Sequence, residues 1–233
     1  MSATFKKIAF LTPRAGLDEA GFREYWEQIH GPLVGSAPGY AQWRWRYIQD
    51  HPIEPGPDNA GTFAFSGIAE FWLPPQSRSE TDYAQSPVYR DRIAPDEDRF
   101  IDKSATLALR AQEQVLLRGD GPVKLMRLGK WSAGITPTQL AELHEEMGAL
   151  GLTAPLSDWR VDHVVPGSTR LPGAETATGL EFDYVETLRF AAQADAADHL
   201  AAAAPLRARV FDRPATTLVV RERVYFANGV FAG

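Results

Sequence analysis

Two stretches of this chain are variations on one pattern, and that constrains what it can fold into. Phe22-Arg-Glu-Tyr-Trp-Glu-Gln-Ile-His30-Gly-Pro-Leu33 has a degenerate counterpart in the second half. There Leu140-Ala-Glu-Leu-His144 stands for Phe22 to Trp26, and Gly148 falls where His30 stood. Three more anchors follow in the same order. Trp43-Arg44-Trp45-Arg46-Tyr47 is set against Trp159-Arg160-Val161-Asp162-His163, and Ala69-Glu70-Phe71-Trp72 against Val185-Glu186-Thr187-Leu188. The last sets Phe100-Ile-Asp102-Lys-Ser-Ala-Thr106 against Val210-Phe-Asp212-Arg-Pro-Ala-Thr216; shortly after it, Gln112-Glu113-Gln114-Val115 matches Arg221-Glu222-Arg223-Val224. Repetition of this kind signals repeated supersecondary units. The chain reads as two copies of one small domain, residues 1–118 and 122–233, joined by the turn cluster Gly119-Asp120-Gly121-Pro122. Only the first copy keeps its polar equipment, which points to one site per chain.

The composition narrows the function. With 44% hydrophobic and 23% charged residues the chain is ordinary globular protein, long enough to bury a core. A net charge of −6 argues against nucleic-acid binding. The absence of cysteine excludes disulfides, thiolate catalysis and Cys-based metal sites. Residues 1–20 lack a signal-peptide pattern and no stretch has the length of a membrane span, so a cytoplasmic protein is expected.

Periodicity predicts the elements. Lys6–Leu11 reads as a strand. Asp18 caps a helix on which Phe22, Tyr25, Trp26, Ile29 and Leu33 recur at helical spacing, and Gly31-Pro32 ends or bends it. Residues 40–48 alternate as a strand, with Trp43, Trp45 and Tyr47 on one face and Gln42, Arg44 and Arg46 on the other. Strands at 68–73 and 106–117 and a helix at 80–93 complete the first unit. The second unit repeats the order: strands at 123–128, 158–165, 181–190 and 217–226, with helices at 136–150 and 194–210. Two long loops rich in Pro and Gly, 51–66 and 166–179, occupy matching places and read either as lids or as tolerated insertions.

His30 is the first candidate for chemistry. It lies beside Trp26 on the rim of the helix's apolar stripe, where a half-sheltered histidine can serve as acid or base. The alternative is a histidine that caps the helix end. Arg44 and Arg46 share a strand face and could hold a carboxylate, enolate or phenolate, or be consumed in ion pairs with neighbouring Glu and Asp residues. Trp26, Trp43, Trp45, Tyr47 and Trp72 make the first unit unusually aromatic and could line a flat hydrophobic pocket. Tyr25, Tyr40 and Tyr83 could donate to a substrate oxygen. His51, His144, His163 and His199 show no metal-ligand spacing, and the alternation puts Asp162 and His163 on opposite faces. There is no Gly-rich phosphate loop and no Gly-x-Ser-x-Gly elbow, so neither a nucleotide cofactor, a metal nor serine hydrolysis is expected.

The helix with Tyr25-Trp26, His30-Gly31-Pro32-Leu33 and Pro38-Gly39-Tyr40, together with the acidic run Asp96-Glu97-Asp98 before Phe100 and Asp102, resembles the EthD family of dimeric α/β-barrel proteins. That resemblance implies an α+β fold in which two ferredoxin-like βαββαβ units, here fused in one chain, close a barrel. It implies a monomer with an internal barrel, able also to form a homodimer. It implies a small hydrophobic, aromatic or enolisable substrate. The resulting expectation is a cofactor-independent lyase or isomerase with His30, Tyr25 and Arg44 at the chemistry. Trp26, Tyr40, Trp43, Trp45, Arg46, Tyr47, His51, Trp72 and Tyr83 would lie around the substrate. Two alternatives stand beside it: a non-catalytic binding protein for a hydrophobic metabolite, and a haem-binding or monooxygenase relative that would use His30 or His51.

Overall fold

The computed structural model describes residues 4–59, 63–74, 80–132, 135–166, 168, 182–211 and 216–227. Eight antiparallel strands close one barrel within the single chain, in the order β1-β3-β2-β8-β5-β7-β6-β4. The first half supplies β1 (Thr4–Leu11), β2 (Arg46–Pro55), β3 (Gly67–Leu73) and β4 (Leu107–Leu117). The second supplies β5 (Val123–Gly129), β6 (Leu156–Val164), β7 (Tyr184–Phe190) and β8 (Thr216–Ala227). Each half runs β-α-β-β-α-β, and its strands lie in the order fourth, first, third, second. The halves meet along β2–β8 and β4–β6. Closure gives the sheet an interior face inside the barrel and removes the sheet edges.

The helices lie outside the barrel. In the first half they are α1 (Glu19–Tyr25), continued by a π-helical turn at Trp26–His30 into α2 (Gly31–Gly35), and α3 (Glu80–Gln85), followed by a π-helical turn at Tyr89–Ile93 that leads into α4 (Ala94–Phe100). In the second half they are α5 (Pro137–Ala149) and α6 (Gln193–Arg207). Asp18 caps α1 as expected, accepting from the Gly21 amide at 2.8 Å. Gly31-Pro32 bends the helix rather than ending it. Pro32 has no N–H, and its ring crowds the carbonyl four residues back. The chain answers by widening: Gly31 N–H bonds to Trp26 O, five residues back. The second helix repeats the device, with Ala94 N–H on Tyr89 O just before Pro95.

Several boundaries differ from the periodic reading. The first six residues of the expected strand at 40–48 are not strand. Gly39 adopts a left-handed φ of 76°, Tyr40–Gln42 form a short 3-10 turn, and β2 begins at Arg46. Trp43, Trp45 and Tyr47 therefore do not share a strand face. β2 runs on to Pro55, so the first five residues of the expected loop 51–66 are strand, and residues 60–62 lie outside the described ones. The loop 166–179 lies outside them too, except for Pro166 and Ser168. The helix expected at 80–93 extends through α4 to Phe100.

Candidate functional site

Three places hold the residues singled out from the sequence. The first lies between the α1–α2 and α3–α4 helices and the outer face of the first half's sheet. His30 is not on the rim of its helix but 5% exposed, whereas Ile29 is 48% exposed. The π turn explains the exchange: a wider turn shifts the helical phase, swinging Ile29 outward and His30 inward. His30 Nδ1 lies 2.8 Å from Asp96 Oδ2, and Tyr25 OH donates to Asp96 Oδ1 at 2.8 Å. With a carboxylate as the hydrogen-bond partner of Nδ1 among the described residues, Nδ1 carries the hydrogen and Nε2 is left as the nitrogen that can exchange a proton. Phe100 fixes the group from the side, with its ring 4.7 Å from His30 and stacked on Tyr25 at 5.3 Å.

Burial opposes the charge on Asp96, but the hydrogen bonds from His30 and Tyr25 outweigh it and hold the carboxyl below the usual range. Burial and the bond to Asp96 raise Tyr25. The sequence reading missed Asp96 as a site residue. Its signal was present: Pro95 opens a helical turn, the acidic run follows it, and Phe100 sits four residues beyond Asp96.

Behind His30 runs a second chain of polar groups. Trp26 Nε1 donates to Tyr47 OH at 3.1 Å, and Gln49 Nε2 donates to Trp26 O at 2.8 Å, engaging the backbone at the π turn. His51 Nε2 lies 3.1 Å from Gln49 Oε1, and its ring is 4.6 Å from Trp26. Burial pushes His51 down to about 4 against a weaker pull from Glu27, so it is neutral at pH 7. Trp26 fills its place so closely that a Cβ on Gly67 would stand 2.3 Å from the indole.

The second place is an aromatic cluster beside the first. Tyr83 lies 5.8 Å from Trp43 and 6.2 Å from Tyr40, and the Arg44 guanidinium stacks 4.1 Å over it. An open cavity of about 690 Å³ lies against Pro38, Gln42, Trp43, Ser86 and Val88.

The third place is the interior of the barrel. Arg46 stacks 4.8 Å from Trp72 at one mouth of the barrel, so Arg44 and Arg46 do not share a face: the first is outside the barrel, the second inside. Deeper in, Lys6 bonds Asp162 at 2.7 Å and contacts Glu70, while Lys124 bonds Asp50, Glu70 and Glu222 at 2.8–3.0 Å. Burial disfavours both charges, yet the surrounding carboxylates raise both lysines. Among the described residues one carboxylate trio is close enough to hold a cation, Asp50, Glu70 and Glu222, and it closes on the Lys124 ammonium. Asp162 reaches Lys6 inside the barrel while His163 faces out against Trp131, on opposite faces as the alternation requires.

A closed antiparallel barrel wrapped by helices, with a buried polar site between helix and sheet, defines a protein of the dimeric α/β-barrel class held within one chain. Residues 14–104, in the first half of the chain, match the family model of the EthD domain. No curated protein is similar to it in sequence. Its fold is shared with a monooxygenase candidate from Lactobacillus acidophilus NCFM (7% identity, 97% of each chain, TM-score 0.54). An anthrone oxidase-like protein is 12% identical, with 100% of this chain and 98% of that chain covered and a TM-score of 0.53. A chlorite dismutase candidate is 9% identical over 96% of each chain, with a TM-score of 0.55. Among the described residues no helix is long and apolar enough to cross a membrane.

Proposed function

We propose that this protein is an enzyme that moves a proton on a small hydrophobic substrate, aromatic or enolisable, with His30 as general acid and base. The observation that carries this is the His30–Asp96 hydrogen bond of 2.8 Å with Tyr25 on the other carboxylate oxygen. A carboxylate on Nδ1–H orients the ring and stabilises the imidazolium formed when Nε2 takes a proton. Dehydration, isomerisation and aldol-type reactions of an enolisable compound begin with such a transfer, and a decarboxylation ends with one, when a proton is delivered to the carbon that has lost carbon dioxide. Trp43 and Gln42 on the wall of the neighbouring cavity would meet the substrate's flat apolar body, with Tyr40, Tyr83 and the stacked Arg44 buried behind them. Arg46, Trp45 and Trp72 belong to the barrel mouth and its edge and have no part in this reading. The two halves, 1–118 and 122–233, are read as ferredoxin-like units of one ancestral type, of which the first retains the chemistry.

The anthrone oxidase-like fold neighbour motivates a second reading. A base that deprotonates a phenolic or enolisable carbon acid yields a carbanion that molecular oxygen could oxidise. Both readings share the first step, so one assay tests them together. A panel of enolisable ketones and phenols is incubated with the protein in deuterium oxide, and hydrogen–deuterium exchange at carbon is followed by NMR, with oxygen uptake measured in parallel. Exchange above the buffer rate that falls by about a hundredfold or more in Asp96→Asn supports proton transfer. Tight binding of panel members with neither exchange nor uptake would make this a binding protein instead.

A further inference from the structure

The two ends of the barrel interior are built on opposite principles. At one end Phe10, Ile68, Leu109, Met126, Val185 and Leu218 pack as an apolar core. Phe63 and Phe65 from the loop before β3 and Phe182 just before β7 close it, with ring centroids 5.5–6.2 Å from Phe10. At the other end the same strands enclose a cavity of about 480 Å³ whose wall carries six cationic side chains and four carboxylates. The apolar end shows that this barrel can be filled with hydrocarbon. Replacing buried ion pairs by well-packed apolar residues is often neutral or stabilising, so stability alone does not account for a hollow, charged end.

The charges are layered. Asp50, Glu113 and Asp162 stand behind the lysines, outside the cavity lining, and hold the Lys6 and Lys124 ammonium groups from the rear. Arg160 and Arg189 form the next layer, on Asp158 at 2.8 Å and Glu222 at 2.5 Å. Arg46 and Arg118 stand at the mouth, with Trp72 as an apolar flank. The wall that a guest would touch is thus richer in cations than in acids, and its guanidinium forks match oxyanion geometry.

We propose that this end of the barrel is a second ligand site, separate from His30, for a small and highly polar organic anion bearing carboxylate or phosphate groups. The volume suits a metabolite rather than a macromolecule. Isothermal titration at low ionic strength, with citrate and inorganic phosphate as separate probes and sodium chloride at matched ionic strength as the control, tests it. Saturable one-to-one binding of either probe is expected, the stronger probe showing which oxyanion is preferred. The double variant Arg46→Gln/Arg118→Gln, which alters only the mouth, should weaken that binding by about tenfold or more. Glu222→Gln removes a lining acid and should act the other way, tightening it. Circular dichroism confirms that each variant is folded. No saturable heat with either probe, or equal affinity in wild type and the double variant, overturns the proposal.

Discussion

The two helix layers of this molecule bury polar groups for different ends. In the second half Glu186 bonds Trp159 Nε1 at 2.7 Å and Arg127 at 2.8 Å, and it also pairs with Arg207, while Arg127 reaches Asp58 at 2.7 Å. Two carboxylates, two guanidiniums and an indole N–H make up the network, which ties α6, β5, β6, β7 and the loop after β2 into one body. In the first half the corresponding layer holds His30, Asp96 and Tyr25 on two helices that are each widened by a π turn before a proline. Histidine is the side chain that exchanges protons near neutral pH. One layer therefore reads as a fastening and the other, which is less deeply buried, as a device.

Breaking the fastening should have the largest effect on stability. Glu186→Gln leaves two buried guanidiniums facing each other and should cost about 3–5 kcal/mol in urea unfolding. Proton exchange per folded molecule should be intact. Loss of exchange in a folded Glu186→Gln protein would erase the distinction between the layers.

Acid should be next. Burial depresses His51, His163 and His199 in the folded state, so between the unfolded value near 6.5 and each folded value the unfolded chain binds more protons. The contribution of these histidines is therefore full above about pH 6.5 and declines as pH falls, while Asp162, which burial raises to about 7, works in the opposite direction over the same range. For His51, with a folded value of about 4, the loss by pH 4 is about 3 kcal/mol. His51→Gln should flatten that part of the slope, as measured by unfolding at pH 7, 6, 5 and 4. Asp96, whose folded value is depressed, adds its own loss only lower, below the ordinary aspartate value of about 3.9.

Gly67→Ala places a methyl group into the Trp26 indole and should cost about 1–3 kcal/mol through overpacking. Because Trp26 opens the π turn that carries His30, exchange should fall with it; unchanged exchange would detach the turn from function. The smallest effect expected is that of Tyr25→Phe, about 1 kcal/mol in melting experiments. It removes one of the two donors to Asp96 and should leave most of the exchange rate.

The sequence carried the architecture further than the pairing. The order of elements expected in each half is the order the structure has, and Gly119–Pro122 lies in the connection between β4 and β5. Two anchors are out of register, one by a single residue, which reverses the face, and one by four, which keeps it. Lys6 and Lys124 both reach Glu70, and counting along the ladders from them sets Asp50 against Asp162, His51 against His163 and Glu113 against Glu222. Glu70 then falls opposite Thr187, one residue from the Glu186 it resembles, and Trp159 opposite Tyr47 rather than Trp43. The Gly39 turn delays β2, and no alternation of aromatics could reveal that. His30 was legible from its motif. Its burial was not, because a π turn leaves no mark in a helical wheel beyond the proline that causes it.

The central claim is that His30, held by Asp96, moves the proton. The direct test is hydrogen–deuterium exchange and melting temperature measured on the same sample of His30→Gln, using whichever panel compound the wild-type protein exchanges fastest. The account predicts a folded protein whose exchange rate is lower by about a hundredfold to ten-thousandfold. A His30→Gln protein that melts several degrees lower but exchanges at the wild-type rate per folded molecule would contradict it and leave the His30–Asp96 pair as one more fastening.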